Sequence, residues 1–524
     1  MSEATPSGAA MRVFGWAVLA VVCALSYANA LNGGFVYDDL VNITQRASLR
    51  WTEVSFSNWL AAVVDSPSKR PVALATFGLQ YAFGLDSPRA FHAINVVVHF
   101  LNGVLVAALA QVLFERAAAL QNQAWRLPSS WLPYLSLAVA LVFITHPLQT
   151  QSVTYVVQRM NSLAATFHIF ALLCFIWGRR SPSSGRRASL FGLALVSWVL
   201  GLGSKETAAV APLAAWLYEL YFERDLSWAF VRQSGALGLL VGVPTLIATY
   251  VLLEMSGYQP FASYPEKDFN AWERLLSQPR ILVFYLSQAG WPLPSRLSLL
   301  HDFEVSRSLM TPATTLPAIA AIGLGGVFAI GLARRHRLLS FALVWFFLHL
   351  AIESSVLPLA LAMEHRMYLP LFGLSLGAVV LAARVFEGRA QQALAALAVV
   401  VLLLGSATHI RNRVWLTPEN LWRDVLEKYP DDFVASLNLG FDLAGQGRHA
   451  EALEQYRHAE MLKPGDTRVQ TNLGTALAGL GRYQEAIPRF REALRLDPEN
   501  PLAPAALGRS LAIIGEHDEA VADL

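Results

Sequence analysis

The fold class follows from residues 91–114, which read FHAINVVVHFLNGVLVAALAQVLF and include no Asp, Glu, Lys or Arg. A helix rises about 1.5 Å per residue, so this stretch can cross the roughly 30 Å hydrocarbon core of a bilayer. Comparable apolar stretches recur as far as residue 407. The 524 residues are 55% hydrophobic and 15% charged, with a mean hydropathy of +0.42. This composition is typical of an integral membrane protein, and the net charge of +2 gives no indication of a nucleic-acid partner.

Charge placement orients the predicted spans, because Lys and Arg accumulate in cytoplasmic loops. We predict about eleven transmembrane helices, with the N-terminus inside and the C-terminus outside. The basic linker 179–187 is the strongest cytoplasmic marker, whereas residues 31–89 and 256–311 form two large external loops. The apolar piece 281–293 is too short to span and is expected to be re-entrant or interfacial. The predicted spans are 13–30, 91–114, 131–145, 161–177, 189–202, 207–222, one ending near Met255, 317–332, 339–361, 369–386 and 393–407.

Residues 408–524 have the composition of a soluble helical domain and repeat every 34 residues. Leu-Gly pairs recur at 439, 473 and 507, and prolines recur at 430, 464 and 498. Two full repeats, 431–464 and 465–498, precede a partial one, 499–524. This period is typical of tetratricopeptide repeats, which stack helix pairs into an α-solenoid that binds peptides or proteins. The sequence therefore predicts an all-α chain with a transmembrane domain, 1–407, and a repeat domain, 408–524.

An acidic pair follows the first span, in Phe35-Val36-Tyr37-Asp38-Asp39. One interpretation is a helix N-cap, for which Asp is well suited. The other is a general base held close to a lipid-bound substrate, since a carboxylate can accept the proton of a hydroxyl nucleophile.

Several cationic residues are predicted to share the external face with this pair. Guanidinium and ammonium groups bind phosphate oxygens, so they suit a phosphate or diphosphate ester. The candidates for binding phosphate are Arg70, Arg159, Lys205, His365 and Arg366. Further candidates for the site are His92, Asn95, His146, Glu206 and Glu364. His92, Asn95 and His99 share one helix face, although a lone histidine there is more often a packing residue.

The order of these motifs resembles the transmembrane and tetratricopeptide repeat-containing O-mannosyltransferases and their prokaryotic relatives. The resemblance covers most of the chain. It is carried by Tyr37-Asp38-Asp39, Arg70-Pro71-Val72, Phe91-His92-Ala93-Ile94-Asn95 with His99, His146-Pro147, Val157-Gln158-Arg159, Lys205-Glu206 and 364–370, EHRMYLP, followed by the 34-residue repeats.

The resemblance implies a GT-C glycosyltransferase fold with its active site on the external face. It also implies a polyprenyl-phosphate-linked sugar as donor and the transfer of mannose or another hexose with inversion. Asp38 or Asp39 would be the general base, and the cations would stabilise the departing lipid phosphate. The family often has acidic residues where this chain has Gln151 and Asn161, which leaves the sugar and any accessory acid open.

The expected location is the bacterial inner membrane, with the site and the repeats on the periplasmic face. The repeats are expected to dock an acceptor protein for O-glycosylation. No cluster has convincing metal-ligand spacing, and a divalent metal is left open as a cofactor. Two alternatives come from other classes: a membrane-anchored repeat scaffold for envelope assembly, and a transporter. A pure anchor needs far fewer spans, and transporters place ionisable residues near the bilayer midplane.

Overall fold

The computed structural model describes residues 8–66, 69–120, 129–236, 238, 264 and 267–522, and every regular element in those ranges is a helix. The all-α prediction is therefore confirmed. The chain divides into two compact units: a first unit of Met1–Leu297 with Phe303–Arg413, and a second unit of Ser298–Asp302 with Val414–Leu524.

The α-helices of the first unit whose two ends both fall within the described ranges have the following bounds. They are α1 (Gly8–Tyr27), α2 (Phe56–Asp65), α3 (Pro71–Ala82), α4 (Pro88–Ala119), α5 (Leu132–Thr145), α6 (Thr150–Val153), α7 (Arg159–Arg180), α8 (Ser184–Leu202), α9 (Ala211–Tyr218), α10 (Ala271–Gly290), α11 (Thr315–Leu332), α12 (Arg337–Leu350), α13 (Pro370–Val385) and α14 (Ala390–Asn412).

Five helical stretches of the described residues are long and apolar enough to cross a membrane. They are Val13–Asn32, Pro88–Ala119, Val156–Arg180, Thr315–Leu332 and Ala390–Trp415. A sixth crossing results if Ser129–Thr145 and Pro147–Val153, which meet at a bend of 55°, form one broken span. The chain is therefore a multi-pass membrane protein, although the count of eleven is not confirmed. The span predicted to end near Met255 and the start of the second external loop lie outside the described residues.

Close helix contacts in the first unit depend on glycine. A Cβ on Gly103 of α4 would lie 2.7 Å from Cγ2 of Ile144 on α5. A Cβ on Gly373 of α13 would lie 2.5 Å from the backbone oxygen of Ala342 on α12. Such contacts are far below van der Waals distance, so only glycine fits. Small residues of this kind let membrane helices approach closely, because packing rather than water exclusion drives their association.

The stretch 339–361 differs from its prediction as a single span. Helix α12 ends at Leu350, and residues 351–363 are turns and extended backbone. Backbone carbonyls beyond the end of the helix need other hydrogen-bond partners when they are buried. Arg274 of α10 supplies these partners, donating to the carbonyls of Glu353, Ser355, Leu359 and Ala360. Helix α10 itself begins at a capping box formed by Asn270 and Glu273, well before the apolar piece 281–293.

The second unit contains α15 (Pro418–Lys428), α16 (Phe433–Gly445), α17 (His449–Leu462), α18 (Thr467–Gly479), α19 (Tyr483–Leu496), α20 (Ala503–Ile514) and α21 (His517–Ala522). The 34-residue period has a structural cause in the turn between paired helices. Gly447, Gly481 and Gly515 have φ values of 78°, 75° and 94°, a region that favours glycine. Successive helix pairs therefore turn in the same way, which produces a tetratricopeptide-type solenoid.

Candidate functional site

The acidic pair lies on the segment that leaves α1 and enters a short π-helix, Leu40–Thr44. Asp39 is fully buried, and its carboxylate accepts two backbone N–H groups. Oδ2 accepts from Val36 at 3.0 Å and Oδ1 accepts from Val157 at 2.7 Å. Asp39 precedes the π-helix but makes no side-chain cap to it. The N-cap interpretation therefore does not describe this carboxylate, which joins two distant parts of the chain instead.

Asp38 is only partly buried, so its carboxyl is the more accessible of the two. Its backbone N–H donates to the hydroxyl of Tyr155 at 3.0 Å, and that hydroxyl also hydrogen-bonds to the Asp38 carboxyl. Burial raises the pKa of Asp38 above its ordinary value, and the bond from Tyr155 offsets part of this rise. Burial raises the pKa of Asp39 to about 8 against the effect of its backbone N–H donors.

Residues 157–161, here called the hub segment, run from a short 3-10 turn into the start of α7 and contact both the acidic pair and the cationic candidates. Within it, Arg159 is fully buried. Its Nε donates to Oδ1 of Asn95 at 2.6 Å, and its Nη2 donates to the backbone oxygen of Phe91 at 3.1 Å. The guanidinium also lies over the ring of Phe77, 4.6 Å from the centroid. Arg159 thus fastens α7 to α4 and α3.

The cationic candidates Arg70 and Lys205 contact the next two residues of the hub segment. Arg70 lies against the sulfur of Met160 and pairs with Glu206 at 2.9 Å. Lys205 Nζ donates to Oδ1 of Asn161 at 3.1 Å. The structure therefore brings both cations to the same short segment whose Val157 donates to Asp39.

Lys205 has a buried counter-ion that the sequence analysis missed. Its Nζ lies 3.1 Å from Oε1 of Glu353, and both side chains are at most 6% exposed. Arg366 approaches the same carboxylate at 3.8 Å. Burial lowers the pKa of Lys205, and the charge of Glu353 opposes this effect. A signal was present in the sequence, since Glu353 is the one charged residue between 339 and 361.

Gln151 and Asn161 both hydrogen-bond to His365. The side-chain oxygen of Gln151 accepts the backbone N–H of His365 at 2.6 Å and lies 3.1 Å from Nδ1 of its ring. Asn161 Nδ2 donates to the backbone oxygen of His365 at 2.7 Å. Burial, together with the nearby charges of Lys205 and Arg366, holds the pKa of His365 well below its ordinary value. The imidazole is therefore neutral at physiological pH, which makes it a polar contact instead of a cation.

The remaining candidates are buried in contacts between elements. His92 Nε2 lies 3.3 Å from the backbone oxygen of Gly34, and Asn95 Nδ2 donates to Val153 at 3.0 Å. His146 Nε2 lies 3.1 Å from the backbone oxygen of Ala289. Gln288 donates to Oε1 of Glu364 at 3.3 Å. These residues support the loops that carry the acidic pair and the cations.

Two other polar groups were missed by the sequence analysis. Tyr155 binds Asp38, as described above. His168 on α7 and His349 on α12 form a buried pair with their Nε2 atoms 3.2 Å apart. Among the described residues, no three His, Cys, Asp or Glu side chains are placed to hold a metal ion. The described site thus combines one accessible carboxyl with an accessible arginine and a buried cation cluster, a set suited to proton transfer beside a phosphate.

Comparison with known proteins gives matches in both units. Residues 431–499 and 477–522 each match a tetratricopeptide repeat family model. The chain is 24% identical over 522 residues to protein O-mannosyl-transferase Tmtc3 of Drosophila melanogaster, which covers 86% of this chain and 55% of that protein. It is 25% identical over 502 residues to protein O-mannosyl-transferase TMTC4 of Mus musculus, which covers 84% of this chain and 66% of that protein.

A third relative, protein O-mannosyl-transferase Tmtc2 of Drosophila melanogaster, is 30% identical over 277 residues, which cover 50% of this chain and 28% of that protein. The chain therefore spans about a quarter to two thirds of the length of these relatives. The resemblance predicted from the order of the motifs is confirmed.

Proposed function

Because this chain is a homologue of the transmembrane and tetratricopeptide repeat-containing O-mannosyltransferases, we propose that it is a membrane glycosyltransferase of the GT-C type. It transfers mannose or another hexose from a polyprenyl-phosphate donor to a hydroxyl of an acceptor protein. The observation that supports this proposal is that the hub segment contacts both the acidic pair and the cations. Its Val157 donates a backbone N–H to Asp39, its Met160 contacts Arg70, and its Asn161 accepts a hydrogen bond from Lys205.

Asp38 is the general base in this proposal, because it is the partly exposed member of the pair. Its carboxylate takes the proton of the acceptor hydroxyl as the hydroxyl oxygen attacks the anomeric carbon. The bond from that carbon to the phosphate oxygen breaks, and polyprenyl phosphate leaves with the electron pair. A single displacement of this kind inverts the anomeric configuration. Asp39 holds the segment in place, since both of its oxygens accept backbone N–H groups.

Arg70 is the cation best placed to reach a phosphate, because its side chain is 23% exposed. Lys205 and Arg366 are nearly buried and already face Glu353. They add positive potential where negative charge develops on the leaving phosphate, and such preorganised charge is effective in a site of low dielectric. Arg159, which has no exposed surface, acts by fixing the start of α7.

The site and the repeats face the outside of the membrane in this proposal, and the solenoid binds the acceptor protein. Concave solenoid surfaces suit extended polypeptides. A chain that stops after Arg413 would then keep donor hydrolysis but lose transfer to the acceptor. Loss of both activities would mean that the second unit supports folding of the first instead of binding the acceptor.

The test of the activity is mass analysis of envelope glycoproteins from cells with and without the gene. Loss of an O-linked hexose, restored by the wild-type gene and not by an Asp38→Asn variant of equal abundance, is the expected result. Unchanged glycans would contradict the proposal and favour the membrane-anchored scaffold.

A further inference from the structure

A cavity of about 540 Å³ lies between α5, α13 and α14 of the first unit. Its walls are apolar, and alanines form much of them, including Ala382 on α13 and Ala393 and Ala396 on α14. Alanine has no side chain beyond Cβ, so these helices face one another across space that none of these residues fills. The cavity opens to the surface of the unit, since Tyr134, Leu394 and Val400 in its lining are 51%, 57% and 42% exposed. Its volume is in the range of sites that bind small ligands, about 300–1,000 Å³.

The cavity borders only one half of α14. Near its C-terminal end α14 is tightly held: Thr408 Oγ1 donates to the backbone oxygen of Thr145 at 2.6 Å. A Cβ on Gly405 would lie 3.0 Å from Oγ of Ser26. The residues of α14 that line the cavity run only from Ala390 to Val400, in the N-terminal half. At about 1.5 Å per residue this is roughly 15 Å, the depth of one leaflet.

The cavity lies in the leaflet away from the candidate site. On α5 and the residue that precedes it, the lining runs from Trp131 to Val142, whereas His146, beyond the other end of that helix, belongs to the candidate residues. Trp131 and Tyr134 both line the cavity, and such aromatic side chains are enriched at membrane–water interfaces. The end of the cavity at Trp131 and Tyr134 is therefore expected to lie near the membrane surface opposite Asp38.

A cation, Arg389, adjoins the residues that line this end of the cavity. Arg389 directly precedes Ala390, which lines the cavity, and it is exposed. Its neighbour Arg384 pairs with Glu387, whereas Arg389 forms no ion pair with any residue in the described part of the chain. The cavity is apolar and about one leaflet deep, and the guanidinium next to it has no acidic partner among the described residues. These two features together suit an amphiphile with an anionic headgroup.

We propose that this cavity binds an acyl chain of an anionic glycerophospholipid whose phosphate contacts Arg389. The polyprenyl donor is a poorer fit, because its phosphate has to reach the opposite end of the bundle to react. The bound chain fills the space between α14 and its neighbours and so stabilises this half of the bundle. This lipid site is separate from the proposed transfer reaction and can exist without it.

Native mass spectrometry of the purified full-length protein tests the site. Wild-type protein in mild detergent should retain about one phospholipid per chain. Ala393→Trp fills the cavity and should reduce the retained lipid at least fivefold. Leu402→Trp is the matched control, since Leu402 is 68% exposed on the same helix and does not line the cavity. This control should retain lipid as the wild type does. Equal retention by Ala393→Trp and wild type would overturn the proposal.

A second measurement is independent of whether Ala393→Trp folds. A bimane probe on Ala393→Cys, in nanodiscs, should be quenched by phosphatidylglycerol with brominated acyl chains more than by brominated phosphatidylcholine. Arg389→Gln should remove this preference for the anionic lipid. Quenching by a brominated polyprenyl phosphate in preference to both phospholipids would overturn the assignment of the occupant.

Discussion

The carboxylate of Asp39 accepts the backbone N–H of Val157 across 2.7 Å, and this bond joins the segment after α1 to the start of α7. The two residues are separated by 118 positions in the sequence. Because Asn161, in the same hub segment, also binds Lys205, the bond places the acidic pair and the cations on one support.

The stability of the protein should depend on pH through Asp39. Its pKa is raised to about 8 in the folded state from an ordinary value of 3.8. A raised pKa means that the folded state binds the proton more tightly than the unfolded state, so stability falls as pH rises from about 4 to about 8. We expect the Tm of the wild type in detergent, relative to that of Asp39→Asn, to decrease over this range. Thr52→Ser, an exposed substitution in the same loop that removes no ionisable group, should give a constant difference.

The Lys205–Glu353 pair should show strong coupling. Removal of one partner leaves the other charge buried and unpaired, which typically costs about 3–5 kcal/mol. We expect Glu353→Gln and Lys205→Met each to lower the free energy of unfolding by this order. The double variant should be more stable than the sum of the two effects predicts. Additive effects in a double-mutant cycle would contradict the close contact of 3.1 Å.

The orientation of the chain can be measured by cysteine labelling. Ser183 is exposed in the basic linker, and both natural cysteines, Cys23 and Cys174, are buried. A membrane-impermeant maleimide should therefore label Ser183→Cys only after the cytoplasmic side is opened. Labelling in intact cells would show that the linker faces outward and would reverse the proposed side of the active site.

The repeats should be sensitive to a single methyl group at Gly474. A Cβ there would lie 2.6 Å from the ring of Phe490, which is fully buried on the paired helix. Overpacking of this kind typically costs about 1–3 kcal/mol. Limited proteolysis should cleave the second unit of Gly474→Ala faster than that of the wild type. Gly445→Ala is the control, because a Cβ at Gly445 meets nothing within 4 Å and should leave the cleavage rate unchanged.

The sequence predicted the helical class and the repeats well, because both depend on local patterns. Apolar runs of span length and glycines at a 34-residue period are properties of short windows of sequence. The break after Leu350 was missed for the opposite reason. Residues 351–361 are apolar enough to continue a span, but Arg274, distant in sequence, binds the carbonyls of an unwound backbone there.

Several candidate residues lie close together in the structure, but the sequence did not distinguish the environments of their side chains. Charge and position suggested that Asp38 and Asp39 were alike, and that Arg159 and Arg70 were similar cations. Burial separates the members of each pair: Asp39 and Arg159 are wholly enclosed, whereas Asp38 and Arg70 are partly exposed. Which side chain turns inward at the end of a helix depends on tertiary packing, so spacing in the sequence could not reveal it.

The most direct test of the proposed mechanism is transfer of radiolabelled mannose from polyprenyl-phosphate mannose by purified protein. Asp38→Asn should lower kcat by at least about a hundredfold, the usual contribution of a general base, with little change in KM for the donor. Asp86→Asn should keep wild-type kcat. Wild-type turnover by a folded Asp38→Asn variant would contradict the assignment of Asp38 as the base.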